Sequence, residues 1–202
     1  IQTLDLAYHP AERGPYNIYA ENFDSEGKLT NPATKWGGVM RKLETTDFET
    51  NNIEYLEFWV MDPFVYNDGT MTGGDLYFNL GDISEDVLKD GRKFYENGLP
   101  VDLDESAVVN TAWGKVPTKQ SVVYAFDATD DARRKQDTGL NGLTTEEEFN
   151  HESYKTFVEK LSARLSADAR ERMLQDKFSP LNDPAGDNFH HYRGTDYDNA
   201  EV

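Results

Sequence analysis

The chain has 202 residues, a formal net charge of -18 and no cysteine. The length suits one sizeable domain, or one domain with a small appendage. The acidity excludes a nucleic-acid partner, which needs clustered Lys and Arg to release counterions, and the missing thiols exclude disulfides, thiolate metal sites and cysteine nucleophiles.

In chain order, Ile1 to Tyr8 alternates as a short strand and enters a loop at His9-Pro10. Pro15, Asn17, Asn22, Gly27, Asn31 and Pro32 then punctuate a long connection, which Tyr16, Ile18, Tyr19 and Phe23 should pack down against a core. Trp36 to Leu43 reads as the next strand. Asn52 to Phe64, with Ile53, Tyr55 and the pair Phe58-Trp59, and Gly74 to Asp82, where Leu76, Phe78 and Leu80 alternate with Asp75, Tyr77 and Asn79, read as two further strands. The Asn, Asp and Gly residues between them are turn chemistry, so the two should pair antiparallel. Ile83 to Leu88 resembles one helical turn capped by Ser84, and short strands are expected near Thr111 to Val116 and Ser121 to Phe126.

After Phe126 the period changes. Tyr154, Phe157, Val158, Leu161 and Leu165 recur at spacings of three and four, with charged residues between them, so this stripe is the core face of a helix. Ser166-Ala167-Asp168 is placed to cap a second helical segment running to Lys177, the alternative being that the helix continues. The tail from Asn182 is rich in Asp, Asn, Gly and His and is expected as loop, ordered only if docked. Arg133-Arg134-Lys135, flanked by Asp130, Asp131 and Asp137, reads as a solvated helix face with local charge pairing. No stretch approaches the ~20 apolar residues of a spanning helix, and no signal-peptide pattern opens the chain. Glu54 and Glu57 on opposite faces of one strand disfavour lipid exposure, so the segment is expected to be soluble.

Asp137 to Glu148 partly follows the spacing of a calcium loop, with Asp137 first, Asn141 fifth, Gly142 sixth, the Leu143 carbonyl seventh and Glu148 twelfth. Gly139 stands where a third side-chain oxygen belongs, and Thr144 replaces an aliphatic residue. The favoured alternative is a tight helix-to-helix connection, with Gly139 ending one helix and Thr144 or Thr145 opening the next through a capping box to Glu147 or Glu148. Asp183, Asp187, Asn188, Asp196 and Asp198 form a second acidic cluster without defined ligand spacing. Glu57 with Asp62 as a paired-carboxylate site, and His190-His191 with Asp187 as a metal or triad fragment, are weaker still. No cofactor loop or nucleophile motif is present, and no enzyme is required. Trp36, Trp59 and Trp113 are read as core; their exposure on one concave face would instead suggest a carbohydrate platform.

Several phrases carry a resemblance: His9-Pro10-Ala11-Glu12-Arg13-Gly14-Pro15-Tyr16-Asn17, Trp36-Gly37-Gly38-Val39-Met40-Arg41, Asn52 to Phe64, Leu76 to Leu88, Phe94 to Pro100, Gln136 to Leu143 and Asp183 to Asn188. Across nearly the whole chain, in order, they resemble stretches of the SprA (Sov) family, the very large outer-membrane translocons of the type IX secretion and gliding motility system of Bacteroidetes. The resemblance implies that this is a segment of a much larger outer-membrane polypeptide, extramembrane on the periplasmic or the cell-surface side. It further implies, as partners, other parts of the translocon, a PorV-like shuttle barrel, a plug protein and secreted cargo, and it assigns no catalytic residues.

The expected architecture is therefore mainly β. Residues 1–127 form an antiparallel β-sandwich of the jelly-roll or galactose-binding-like kind, residues 128–180 a helical segment packed on it, and residues 181–202 a polar loop or tail. The expected function is a non-catalytic structural or partner-contacting role in protein export. The alternative is a carbohydrate-binding module on the same sandwich.

Overall fold

The stripe of Tyr154, Phe157 and Leu161 is buried along one side of a helix, as its spacing requires, and Phe157 and Leu161 belong to a buried apolar cluster. The structure is a computed structural model that describes residues 6–40, 47–62, 65–66, 69, 73–81, 86–92, 99–101, 106–119, 126–127 and 129–190. The chain divides into two units, one of Ile1–Gly37 with Ser84–Val202 and one of Gly38–Ile83.

In the first unit, β1 (Val108–Thr111) and β2 (Gly114–Pro117) form an antiparallel hairpin with Val109 opposite Val116. Four helices follow: α1 (Asp130–Gln136), α2 (Thr145–Asn150), α3 (Glu152–Arg164) and α4 (Ala167–Gln175). Phe157 and Leu161 of α3 close over Ala20, Phe23 and Leu29, with Ile18, Val158 and Leu165 at the margin. The Phe23 and Phe157 rings lie 5.7 Å apart, centroid to centroid.

The long connection near the N-terminus is thus packed down, but by Ala20, Phe23 and Leu29; Tyr16 and Tyr19 are exposed. An antiparallel bridge between Phe23 and Leu29 closes it into a loop, and Arg164 Nε donates to the Phe23 carbonyl at 2.6 Å. At its tip Gly27 has φ +83°, and a Cβ there would stand 1.9 Å from Met173 Cε of α4. The tip lies flat on α4 because that position is glycine. Ser166 caps α4 by accepting from the Ala169 N–H, and its own N–H donates to the Ser25 carbonyl at 2.8 Å. In α1, Arg133 pairs with Asp130 at 3.7 Å.

The β-sandwich is not formed. Among the described residues there are four helices and one two-stranded hairpin, and neither a jelly-roll nor a galactose-binding-like arrangement is present. In the second unit, residues 53–62 and 73–80 run without regular secondary structure. The Phe58 and Phe78 rings do meet, at 4.7 Å, but no backbone ladder joins the two segments. The physical reason is that alternation marks a segment fit to be a strand, whereas a strand forms only when a neighbour takes its N–H and C=O groups and a layer covers its apolar face. Trp59, read as core, is fully exposed, and Trp36 and Trp113 are exposed as well. The expected strand at Thr111 to Val116 is interrupted by the hairpin turn at Ala112-Trp113. Ile1 to Asp5, Arg41 to Leu43 and Ser121 to Ala125 of the other expected strands lie outside the described residues, as do Ile83 to Glu85 of the expected helical turn.

Candidate functional site

Three loop or helix segments of the first unit converge on a group of carboxylates. The first begins where α1 ends. The Asp137 N–H donates to the Arg133 carbonyl, Gly139 turns the chain with φ +52°, and the Asn141 side-chain oxygen accepts from the Leu143 N–H at 2.7 Å. Thr144 then caps α2 in a reciprocal capping box with Glu147, whose carboxylate also meets Lys115 at 3.1 Å. With Glu147 turned outward, Glu148 points inward and is completely buried.

The second segment is the loop after α4. Asp183 Oδ1 accepts from the Gly186 and Asp187 N–H groups, and Oδ2 accepts from Asn188 N–H at 3.2 Å. This internal cradle aims Asp187 back at the first segment, where its Oδ2 accepts from the Leu140 N–H at 2.8 Å. Phe189 N–H donates to Asp137 Oδ2 at 2.8 Å, and Thr145 Oγ1 donates to Asn188 Oδ1.

The third segment brings Arg13. Its Nε donates to the Asn17 carbonyl and its Nη groups to the Asp183 and Pro184 carbonyls, while the guanidinium lies 4.7 Å over the Phe157 ring. Burial lowers its pKa to about 10, against the pull of Asp183, Tyr154 and Glu148, so it remains a cation at neutral pH.

At the centre, Glu148 Oε1 accepts from Asn141 Nδ2 at 2.7 Å and Oε2 from the Ala185 N–H at 3.1 Å. Asn141 Nδ2 also reaches the Tyr154 hydroxyl at 3.2 Å. The carboxyl oxygens of Glu148, Asp183 and Asp187 come within 4.8 Å of one another. Burial, then the Asp187 carboxylate, pushes the Glu148 carboxyl up to about 8. Burial, then Asp183, pushes Asp187 up to about 6, even though the Leu140 N–H and Glu148 both hydrogen bond to it. At neutral pH the Glu148–Asp187 pair therefore retains a proton. Three carboxyl groups, Asp183, Glu148 and Asp187, act on one guanidinium, and the retained proton relieves part of that imbalance.

Of the sequence-predicted calcium set, Asn141 and Glu148 are brought together, but through an amide N–H donated to a carboxyl oxygen. The Asp137 carboxylate is engaged by Phe189, and the Leu143 contact is its N–H on Asn141. Asp183 and Asp187, placed by sequence in a separate acidic cluster, join Glu148 here, whereas Asp196 and Asp198 lie outside the described residues. His190 stacks on Phe178, and His191 lies outside the described residues. Glu57 and Asp62 are exposed on the extended segment of the second unit. Arg13 carried no signal beyond its place in the phrase His9 to Asn17. The chemistry this cluster offers is proton retention and the docking of three segments. No family model, no curated protein and no solved structure matches the chain.

Proposed function

We propose that this chain is a non-catalytic, extramembrane segment of a type IX outer-membrane translocon, with a structural or partner-contacting role in protein export and gliding motility. The observation that carries the reading is the state of residues 53–61 and 76–80. Tyr55, Leu56, Trp59, Met61, Leu76 and Tyr77 are all more than half exposed, in segments whose sequence suits the interior of a sheet. Contiguous apolar surface of this kind marks an interaction site in a stable protein. A piece that completes its fold against neighbouring polypeptide would display it.

The phrases that resemble the SprA (Sov) family run through both units and point the same way. No helix among the described residues is long and apolar enough to cross a membrane, which suits an extramembrane role. The carboxylate cluster suits a structural role, because Glu148, Asp187 and Asp137 each accept from a backbone N–H of another segment and so hold the segments together. The carbohydrate-binding alternative depended on a sandwich scaffold, and the described residues do not form one.

The test is an immunoblot of fractionated cells with an antibody raised against α3 and α4. The reading expects a band many times larger than 202 residues in the outer-membrane fraction. A band of this chain's own size, free of the envelope, would contradict it.

A further inference from the structure

Residues 43–83 contain nine Asp or Glu and neither Lys nor Arg. Within that stretch, residues 54–61 and 74–80 hold two extended runs whose backbone groups make no hydrogen bonds to other described residues. Apolar side chains are exposed on both faces of the first run: Tyr55 and Trp59 on one, Leu56 and Val60 on the other. Glu54 and Glu57 interrupt the two faces, one on each. Unmade ladder bonds, exposed apolar side chains on both faces and the carboxylates of Glu54 and Glu57 occur together on this run.

We propose that this surface is a β-augmentation site that receives an extended strand of a partner polypeptide, one that alternates apolar residues with Lys or Arg. Backbone bonding supplies the affinity in such a complex, and side-chain pairing across the new ladder supplies the selection. Because an alternating strand carries its cations on a single face, one of the two carboxylates, Glu54 or Glu57, would lie opposite them. A second copy of this chain is a poor occupant, because its own strip would bring carboxylates opposite carboxylates. An anionic lipid surface is poor for the same reason. The inference rests on the partner-contacting reading above and names the chemistry of the partner.

The test uses the full chain with Trp36→Phe and Trp113→Phe, which leaves Trp59 as the sole indole. Three synthetic peptides are titrated: one alternating valine and lysine, one alternating valine and glutamate, and the lysine peptide with proline at alternate positions. The expected result is a saturable blue shift of Trp59 emission with the lysine peptide, weakening as salt is added, and loss of that shift with the other two. An equal shift with the proline peptide would overturn the ladder. An equal shift with the glutamate peptide, or self-association of the chain through Trp59, would overturn the choice of partner. A water-exposed Trp59 with no response to the lysine peptide would overturn the strand proposal alone. A Trp59 already shielded in the free chain would overturn the partner-contacting reading beneath it.

Discussion

Gly139 and Asp187 lie so close that a side chain at position 139 would displace the carboxylate: a Cβ built there stands 2.2 Å from Asp187 Cγ. The contact joins the turn after α1 to the loop after α4, 47 positions apart between Leu140 and Asp187. Gly139→Ala must both hold φ at +52° and push Asp187 off the Leu140 N–H. The backbone strain alone costs about 1–2 kcal/mol. With the broken contact the total should reach about 2–4 kcal/mol, read as a lower urea midpoint. An unchanged midpoint would show that the two segments are not docked through this contact.

The shared proton makes stability depend on pH in an unusual direction. The Glu148 carboxyl rises from 4.5 to about 8 and Asp187 from 3.8 to about 6, so the folded chain binds more protons than the unfolded one in that interval. Their contribution is fully present below the unfolded values and is lost as pH rises toward the folded ones. The melting temperature should therefore fall between about pH 5 and about pH 8. Glu148→Gln keeps a donor toward Asp187 without the titration and should flatten most of that slope. A variant as steep as the parent chain would place the proton elsewhere.

Phe157 and Trp59 should respond oppositely to truncation. Phe157 is buried against Phe23, and Phe157→Ala should cost about 3–5 kcal/mol. Trp59 is fully exposed, and Trp59→Ala in the isolated chain should change stability by no more than about 0.5 kcal/mol. Urea denaturation of both variants checks this. A large loss from Trp59→Ala would restore a core role for that residue.

The contrast between these two aromatics shows what the sequence could reveal. The α3 stripe was legible because a helix satisfies its own backbone, so a spacing of three and four residues is enough to identify it and its buried face. The Thr144 cap of α2 and the Ser166 cap of α4 were legible for the same local reason. Residues 53–61 and 76–80 read as strands because their side chains suit a pleated surface, yet strand formation depends on a neighbour that no local pattern reveals. The carboxylate site lay between these cases. Asn141 and Glu148 are close in sequence and do meet, as amide donor and carboxyl acceptor rather than as the joint cation ligands their spacing suggested. Arg13, Asp183 and Asp187 arrive from remote segments, and no periodicity connects them.

Calcium and magnesium should affect the chain alike. Asn141 presents its amide N–H, not its oxygen, to Glu148, and a proton retained by the Glu148–Asp187 pair weakens these carboxyls as ligands for a hard cation. Both ions should raise the melting temperature by a similar small amount through screening of so acidic a surface. Asp137→Ala should leave that response unchanged. A saturable, calcium-selective rise that disappears in Asp137→Ala would establish a calcium loop instead.

The most direct measurement of the partner-contacting reading exploits the absence of cysteine. Trp59→Cys creates the single thiol of the isolated chain, and the same substitution is made in the gene as it stands in the cell, with the unsubstituted gene giving the labelling background. The rate of maleimide labelling at that thiol is then compared between purified chain and intact cell envelopes, with denatured envelopes as the accessible reference. The account expects fast labelling in the purified chain and strong protection in the envelope that vanishes on denaturation. Equal, fast labelling in chain and envelope would mean that nothing covers the strip, and would contradict the claim that it is built to meet a partner.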